Sequence, residues 1–389
     1  MNGRFVGVAA LLAALLWISP GTAHAQTANR LTPAEIEKGW LLLFDGETTW
    51  GWEPDNTGGP IQAEWQGAGG ALSPPQGPRY WLVHKTAFRS YEVTGECWAE
   101  SRRGAIVGIV QSHQSHGEPT RYSQAMIFSD GPPAAGRWVP FRLSVRPGKA
   151  TLAWQGQARP ETHTSGPRST IVARPTHLQL GYSRDGKVQF RNLKLLPVGL
   201  TPIFNGKDLK GWSPVAGRAS VFSVTPEGWL NVKNGNGDLH TNSHFGDFVL
   251  QLDIFSNGEH LNSGIFFRAN PGSFWSGYEA QIRNQWQGED RSKAVDFGTG
   301  GLYNLQPARR VVSSDRTWFT MTVAAHGYHI ATWVNGYPVT DYTDNRPINE
   351  GDARRGARTR AGSISIQGHD PTTDLSFRNI RIADYPAVR

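Results

Sequence analysis

The sequence predicts an all-β protein built as two β-sandwiches in tandem. Three observations carry this. Apolar residues recur with period two in short runs broken by turn residues, as in "WFTMTVAAHGYHIATWVNGYPV" (318–339), the pattern of half-buried strands. No segment keeps a 3.6-residue period over three turns. And the chain restarts after residue 200: "DGETTWGW" (45–52) returns as "NGKDLKGW" (205–212), each after an apolar run ending in Phe (Phe44, Phe204).

Residues 1–25 read as a signal peptide. Arg4 precedes an apolar run from Phe5 to Trp17, then Pro20-Gly21 and the small-x-small Ala23-His24-Ala25, so cleavage before Gln26 and a periplasmic or secreted location are expected. The run is too short and too early for a spanning helix, and no later stretch approaches ~18 continuous apolar residues, so no membrane span is expected. Cys97 is the single cysteine, and export without disulfides fits a bacterial periplasm. Thr32-Pro33 with Glu35 is a capping box opening one short helix.

The first sandwich is expected over 40–197 and the second over 200–386, with a seam near "LLPVGLTP" marked by Pro197 and Pro202. "SYEVTGECWAESRRGAIVGIVQS" (90–112) aligns with "DFVLQLDIFSNGEHLNSGIFFR" (247–268), "GRWVPFRLSVRPGKATLAWQG" with "DRTWFTMTVAAHGYHIATWVNG", and "KVQFRNLKLLP" with "DLSFRNIRIADYP". A unit above 150 residues is a duplicated domain and not a solenoid repeat of ~20–50 residues. Asn335-Gly336 between apolar runs is a hairpin turn. His326 and His329 span another turn and read as a hairpin before a metal pair; His240 and His244 read as loop residues. The net charge of +7, from scattered Arg, comes without a dense basic block, a helix-turn-helix pattern or a zinc-ligand set, which argues against nucleic acid.

Residues kept in both copies read as scaffold: the Gly-Trp pairs, Trp138 and Trp318, and the Phe-Arg-Asn of 190–192 and 377–379, whose arginines are expected to hold loop carbonyls. Polar residues present in one copy only are candidates for chemistry. In "SGYEAQIRN" (276–284), Tyr278, Ala280 and Ile282 face one way and Glu279, Gln281 and Arg283 the other. The copy-one stretch "RYSQAMIF" aligns Ser123 with Glu279 and Ala125 with Gln281, and Ser112 with Arg268; His369 has no counterpart near Tyr182-Ser183. Copy two thus gathers Arg268, Glu279, Gln281, Gln367 and His369. A polar row is also what the solvated side of an antiparallel sheet looks like. Tyr278, Trp275 and Trp286 suit core packing and sugar stacking equally.

"IFNGKDLKGW", "LNSGIFFR", "GYEAQI", "TGGLY", "WVNGYPVTDYTD" and "FRNIRI" together resemble the 3-keto-disaccharide hydrolase family. The resemblance is specific over about 200–386 and weak over about 40–197. It implies a concanavalin-like jelly roll of the lectin and glucanase type, and action on glycosides whose sugar is oxidised to a ketone at carbon 3. Two departures stand out. Asn284 replaces the family's usual acid, and Gln367-Gly368-His369-Asp370 replaces Gln-Asp-His.

Ordinary glycosidases flank the scissile bond with two carboxylates, and copy two has only Glu279 on its candidate strand. A keto sugar needs one base for the acidified hydrogen at carbon 2, an acid for the leaving oxygen and a positive group near the enolate. Under the resemblance, Glu279 and His369 share the roles of base and acid, in an order the sequence leaves open, and Arg268 stabilises the enolate. Gln281, Asn262, Tyr278, Gln367 and Trp286 are the substrate-binding candidates. No cofactor is expected; a divalent metal is compatible with the family but no ligand set is assignable. No nucleotide or phosphate fingerprint is present, so a separate oxidoreductase is expected to supply the ketone. A non-catalytic, lectin-like carbohydrate-binding protein is the alternative.

Overall fold

The computed structural model describes residues 28–55, 65–75, 81–102, 105–128, 131–156, 161–164, 174–182 and 187–385; the signal-peptide expectation lies outside them. Each half is a sandwich of an eight-stranded and a five-stranded antiparallel sheet. In the second half the larger sheet holds Val221–Val224, Leu230–Lys233, Asp374–Asp384, Phe248–Ser256, Phe319–His326, His329–Val334 and Tyr337–Thr343 in that order, with Thr201–Pro202 on the Asp374–Asp384 strand. The smaller runs Trp212–Pro214, Gly237–Thr241, Ser363–Gly368, Ser263–Ala269, Tyr278–Ile282. The first half repeats both orders strand for strand. Among the described residues no helix is long and apolar enough to cross a membrane.

The cores follow the predicted alternation. Leu250, Ile254, Met321 and Phe377 of the larger sheet meet Leu239, Ile265, Phe267, Ala280 and Ile366 of the smaller. The helix Pro33–Lys38 starts as its sequence dictates: Thr32 Oγ1 accepts from the Glu35 amide, and the Glu35 carboxylate accepts from the Thr32 amide at 2.7 Å. Glu35 also holds the Lys194 ammonium.

The twice-present Phe-Arg-Asn marks a bulge in each long C-terminal strand. Asn192 and Asn379 both sit at φ 53°. Contrary to the expectation from sequence, the arginines do not hold loop carbonyls. Arg191 binds Glu96 and covers the Trp138 ring at 4.1 Å, and Arg378 binds Asp253 and covers Trp318 at 4.0 Å. The cation–π contact explains why both tryptophans travel with the motif.

The two halves share a core. Trp333, Val249, Ala324 and Ala331 of the second half pack among Leu41, Phe88 and Tyr91 of the first. Trp333 Nε1 donates to the Leu42 carbonyl, and the Leu42 amide donates to Gly336 O at 2.8 Å. Asn335 and Gly336 take φ 50° and 70°, as the predicted tight hairpin requires. A Cβ on Gly336 would also lie 2.2 Å from Leu31 and 2.4 Å from Trp40 O, so this turn packs tightly against the N-terminal part of the chain. Lys85–Asp341 and Arg309–Asp45 add ion pairs across the boundary.

Candidate functional site

One face of the five-stranded sheet in the second half packs on the core; the other is polar. Register sets Asp238, Gln367, Gly264 and Gln281 in one row across four strands, and His240, Ser365, Phe266 and Glu279 in the next. Such a row arises because side chains on one face of adjacent strands stand opposite each other. A cavity of about 230 Å3 opens on this face, lined among others by Asn262, Trp275, Glu279, Gln281, Asp296, Gln367 and His369. A second cavity of about 440 Å3 adjoins it, and Phe274, Trp275, Glu279 and Tyr303 line both. Glu279 therefore stands at the junction.

Five of the sequence candidates meet here: Glu279, His369, Gln281, Asn262 and Gln367. Asp296, which the sequence did not flag, ties two of them together. Its Oδ2 accepts from Asn262 Nδ2 at 2.8 Å and from Gln281 Nε2 at 3.0 Å. His369 is half exposed, with Nδ1 at 2.9 Å from Asp370 Oδ2. The carboxylate selects the tautomer that carries its proton on Nδ1 and leaves Nε2 basic.

The other three candidates do not line the smaller cavity, and of them only Tyr278 borders the larger one. Arg268 is fully buried: a φ of 50° in the bulge before Ala269 turns it off the polar face. Its guanidinium donates to Gly246 O, Arg358 O and Asp247 Oδ1, so it ties loops together. Tyr278 faces the core, as its place in the alternation required. It stacks on Phe267, donates to Asp344 Oδ2 at 2.7 Å and accepts from the Arg358 amide. Trp286 lies under the Arg291 guanidinium on a small hairpin and lines neither cavity. Asn284 is also buried, bonded to Asp315, Thr299 and Ser313. This departure from the family pattern therefore sits in packing, outside both cavities.

His240 is not a loop residue; it lies on the strand Gly237–Thr241 beside Asp238. The flanking "NGNG" and "TNS" make that stretch read as a turn, and only the inward Leu239 between two polar residues signals a strand. The histidines of "HGYH" close a two-residue hairpin, as expected.

Pairing the shared tryptophans (Trp52 with His84, Trp212 with Thr241) fixes the register between halves. The places of Asp238, His240, Gln367 and Glu279 then fall to Trp81, Val83, Gly181 and Ile127. Ile127, and not Ser123, is the counterpart of Glu279, four residues further along the Arg121–Phe128 strand. At these four places the first half carries no polar side chain.

The electrostatics of the site are set by burial. Glu279 is raised to about 8, first by desolvation and further by Asp238 and Asp296; a hydrogen bond from Trp275 and the Arg354 charge oppose the shift. Burial also raises Asp238 to about 6, although the Trp275 amide donates to its Oδ2 at 2.7 Å, and lowers His240 to about 4. Glu279 is thus a neutral acid near pH 7 and Asp238 mostly a carboxylate. Asp238 Oδ1, Asn262 Oδ1, Gln367 Oε1, Ser365 Oγ and both His240 nitrogens are buried without a protein partner. Orphaned buried polar atoms are costly, and those of Asn262 and Gln367, which line the smaller cavity, suit a ligand rich in hydroxyls. Among the described residues no three His, Cys, Asp or Glu side chains form a metal-binding group.

Residues 199–383 match the model of the 3-keto-alpha-glucoside-1,2-lyase-like domain. The C-terminal sandwich belongs to this family. That membership makes it a carbohydrate-active domain of the glycoside-hydrolase type. No curated protein matches the chain. Solved structures similar to it include a Parabacteroides distasonis protein described as a candidate glycosyl hydrolase (21% identity, 48% of this chain and 94% of that one, TM-score 0.38). A carbohydrate-binding module of Bacillus subtilis is similar at 15% identity (46% and 97%, TM-score 0.33), and the Bacillus licheniformis β-glucanase at 14% (48% and 98%, TM-score 0.33).

Proposed function

We propose that the C-terminal 3-keto-glucoside lyase-like domain cleaves 3-keto-glycosides by elimination and hydration, and that His369 is the base and Glu279 the acid. The observation that carries this is the pairing, in one cavity, of a carboxyl kept protonated by burial with a histidine whose Nε2 is left basic by Asp370. A carboxyl kept protonated beside a histidine held in one tautomer supplies both a general acid and a general base.

His369 Nε2 takes the hydrogen at carbon 2, and the electron pair passes to the ketone oxygen as an enolate. The enolate collapses, the bond from carbon 1 to its oxygen breaks, and Glu279 gives its proton to the departing oxygen. The unsaturated ketone then accepts water at carbon 1. Glu279, now a carboxylate, takes the water's proton, and His369 returns one to carbon 2. Both residues end as they began. With Arg268 committed to loop carbonyls, Arg354, which lines the larger cavity, is the cation beside the proton donor Glu279. It lies over the Trp275 ring at 3.3 Å and acts on Glu279 electrostatically. Gln281, Asn262 and Gln367 meet sugar hydroxyls. In this reading a separate oxidoreductase makes the ketone, and residues 1–25 direct the protein to the periplasm or beyond.

The experiment is to incubate the protein with a chromogenic 3-keto-glucoside and follow the aglycone. Release that Glu279→Gln and His369→Ala each lower by about 100-fold or more supports the roles. The orphaned polar atoms alone would serve a lectin, and tight binding of the keto sugar without release would favour that second reading.

A further inference from the structure

We infer that the N-terminal sandwich braces one wall of the leaving-group side of this site, through His116. The inference rests on the cleavage reading above. If the 230 Å3 cavity holds the keto ring, Glu279 at the junction presents its proton toward the 440 Å3 cavity, so the departing group occupies the larger space. That cavity is about twice the size of the other. Arg354, Arg355 and Asp352 line it beside Phe274, Trp275 and Tyr303. Charges of both signs next to aromatic faces suit a bulky, hydroxyl-rich leaving group.

Its far wall is the segment 351–355, held by several side chains, among them Asn270, Asn349 and Arg346. Arg346 donates to Ala353 O at 2.7 Å, Gly356 O at 3.1 Å and Arg354 O at 3.2 Å while paired with the buried Asp344. The backbone carbonyl of Arg346 is in turn gripped from the other half: His116 Nε2 donates to it at 2.7 Å, and the His116 ring meets the Tyr328 ring edge-on at 4.8 Å. A contact from the first half thus reaches the cavity wall through one residue. His116 lines neither of the two cavities, and it is a positioning residue.

The test compares wild type, His116→Ala and His116→Gln in the full chain, on methyl 3-keto-glucoside and on 3-keto-maltose. The inference expects His116→Ala to raise KM for the disaccharide about five-fold, the worth of one neutral hydrogen bond, with kcat and the methyl glycoside unchanged. The Gln variant, which can still donate to the carbonyl, restores KM. Equal effects on both substrates, or none, overturn it. If wild type cleaves neither sugar, the catalytic reading fails by itself. Calorimetric titration with the uncleaved disaccharide then decides the wall: weaker binding by His116→Ala than by wild type and the Gln variant sustains it, and equal affinity or no binding overturns it.

Discussion

The Glu279 side chain lies flat over Gly264: a methyl group on that glycine would stand 2.5 Å from Oε1 and 2.9 Å from Cγ. The two residues are offset neighbours on adjacent strands, and only a residue without Cβ lets the carboxyl lie along the sheet toward the cavity junction. Gly264→Ala is therefore expected to displace the carboxyl by an ångström or so, and a displacement of that size costs on the order of 100-fold in kcat. Steady-state kinetics on a chromogenic 3-keto-glucoside, with a melting curve to show the fold intact, check it.

The raised Glu279 value has a sign that can be read twice. Because the acid acts protonated, kcat/KM is expected to fall as pH rises through about 8. Stability moves the same way. Between the ordinary 4.5 and about 8 the folded protein binds a proton here that the unfolded chain releases, so Glu279 lowers stability steadily as pH climbs through that window and no further above it. Glu279→Gln removes the group. The melting-temperature difference, variant minus wild type, should widen from pH 5 to pH 8 and then level off.

Arg268 is expected to behave as a structural residue. Arg268→Met removes a donor from each of Gly246 O, Arg358 O and Asp247 and should cost about 3 kcal/mol in urea unfolding. The folded fraction should keep kcat within a few-fold of wild type. A loss of kcat near 100-fold with stability unchanged would return Arg268 to the chemistry.

Trp333→Ala removes an indole that is 2% exposed and stacks near His84 and Phe88 of the other half. A cavity of that size costs about 3 to 5 kcal/mol. Calorimetry should then resolve two unfolding transitions where wild type shows one.

Most of the architecture was legible from residues alone. The period-two runs, Asn335-Gly336, the capping box and the shared Gly-Trp pairs are local signals, and local signals survive in a string of letters. The alternation in "GYEAQI" also sent Glu279 and Gln281 to the polar face correctly. What was not legible depended on partners far along the chain. Arg268 follows an apolar strand and reads as the next polar position, but a bulge reverses it. Asp238 and His240 sit in a stretch crowded with Asn and Gly, and their role appears only when Gln367 and Ser365 come beside them from more than a hundred residues away. Asp296 has a positive φ in an irregular segment with no period to read.

Trp333 has a practical consequence for anyone wishing to work with half of this chain. A fragment beginning near residue 199 would carry that indole, with Val249, Ala324 and Ala331, on a bare outer sheet face. Exposed apolar ground of this kind drives self-association. Such a fragment should clump on expression unless those positions are first made polar, so a silent C-terminal piece in an assay would speak of solubility before it spoke of enzymology.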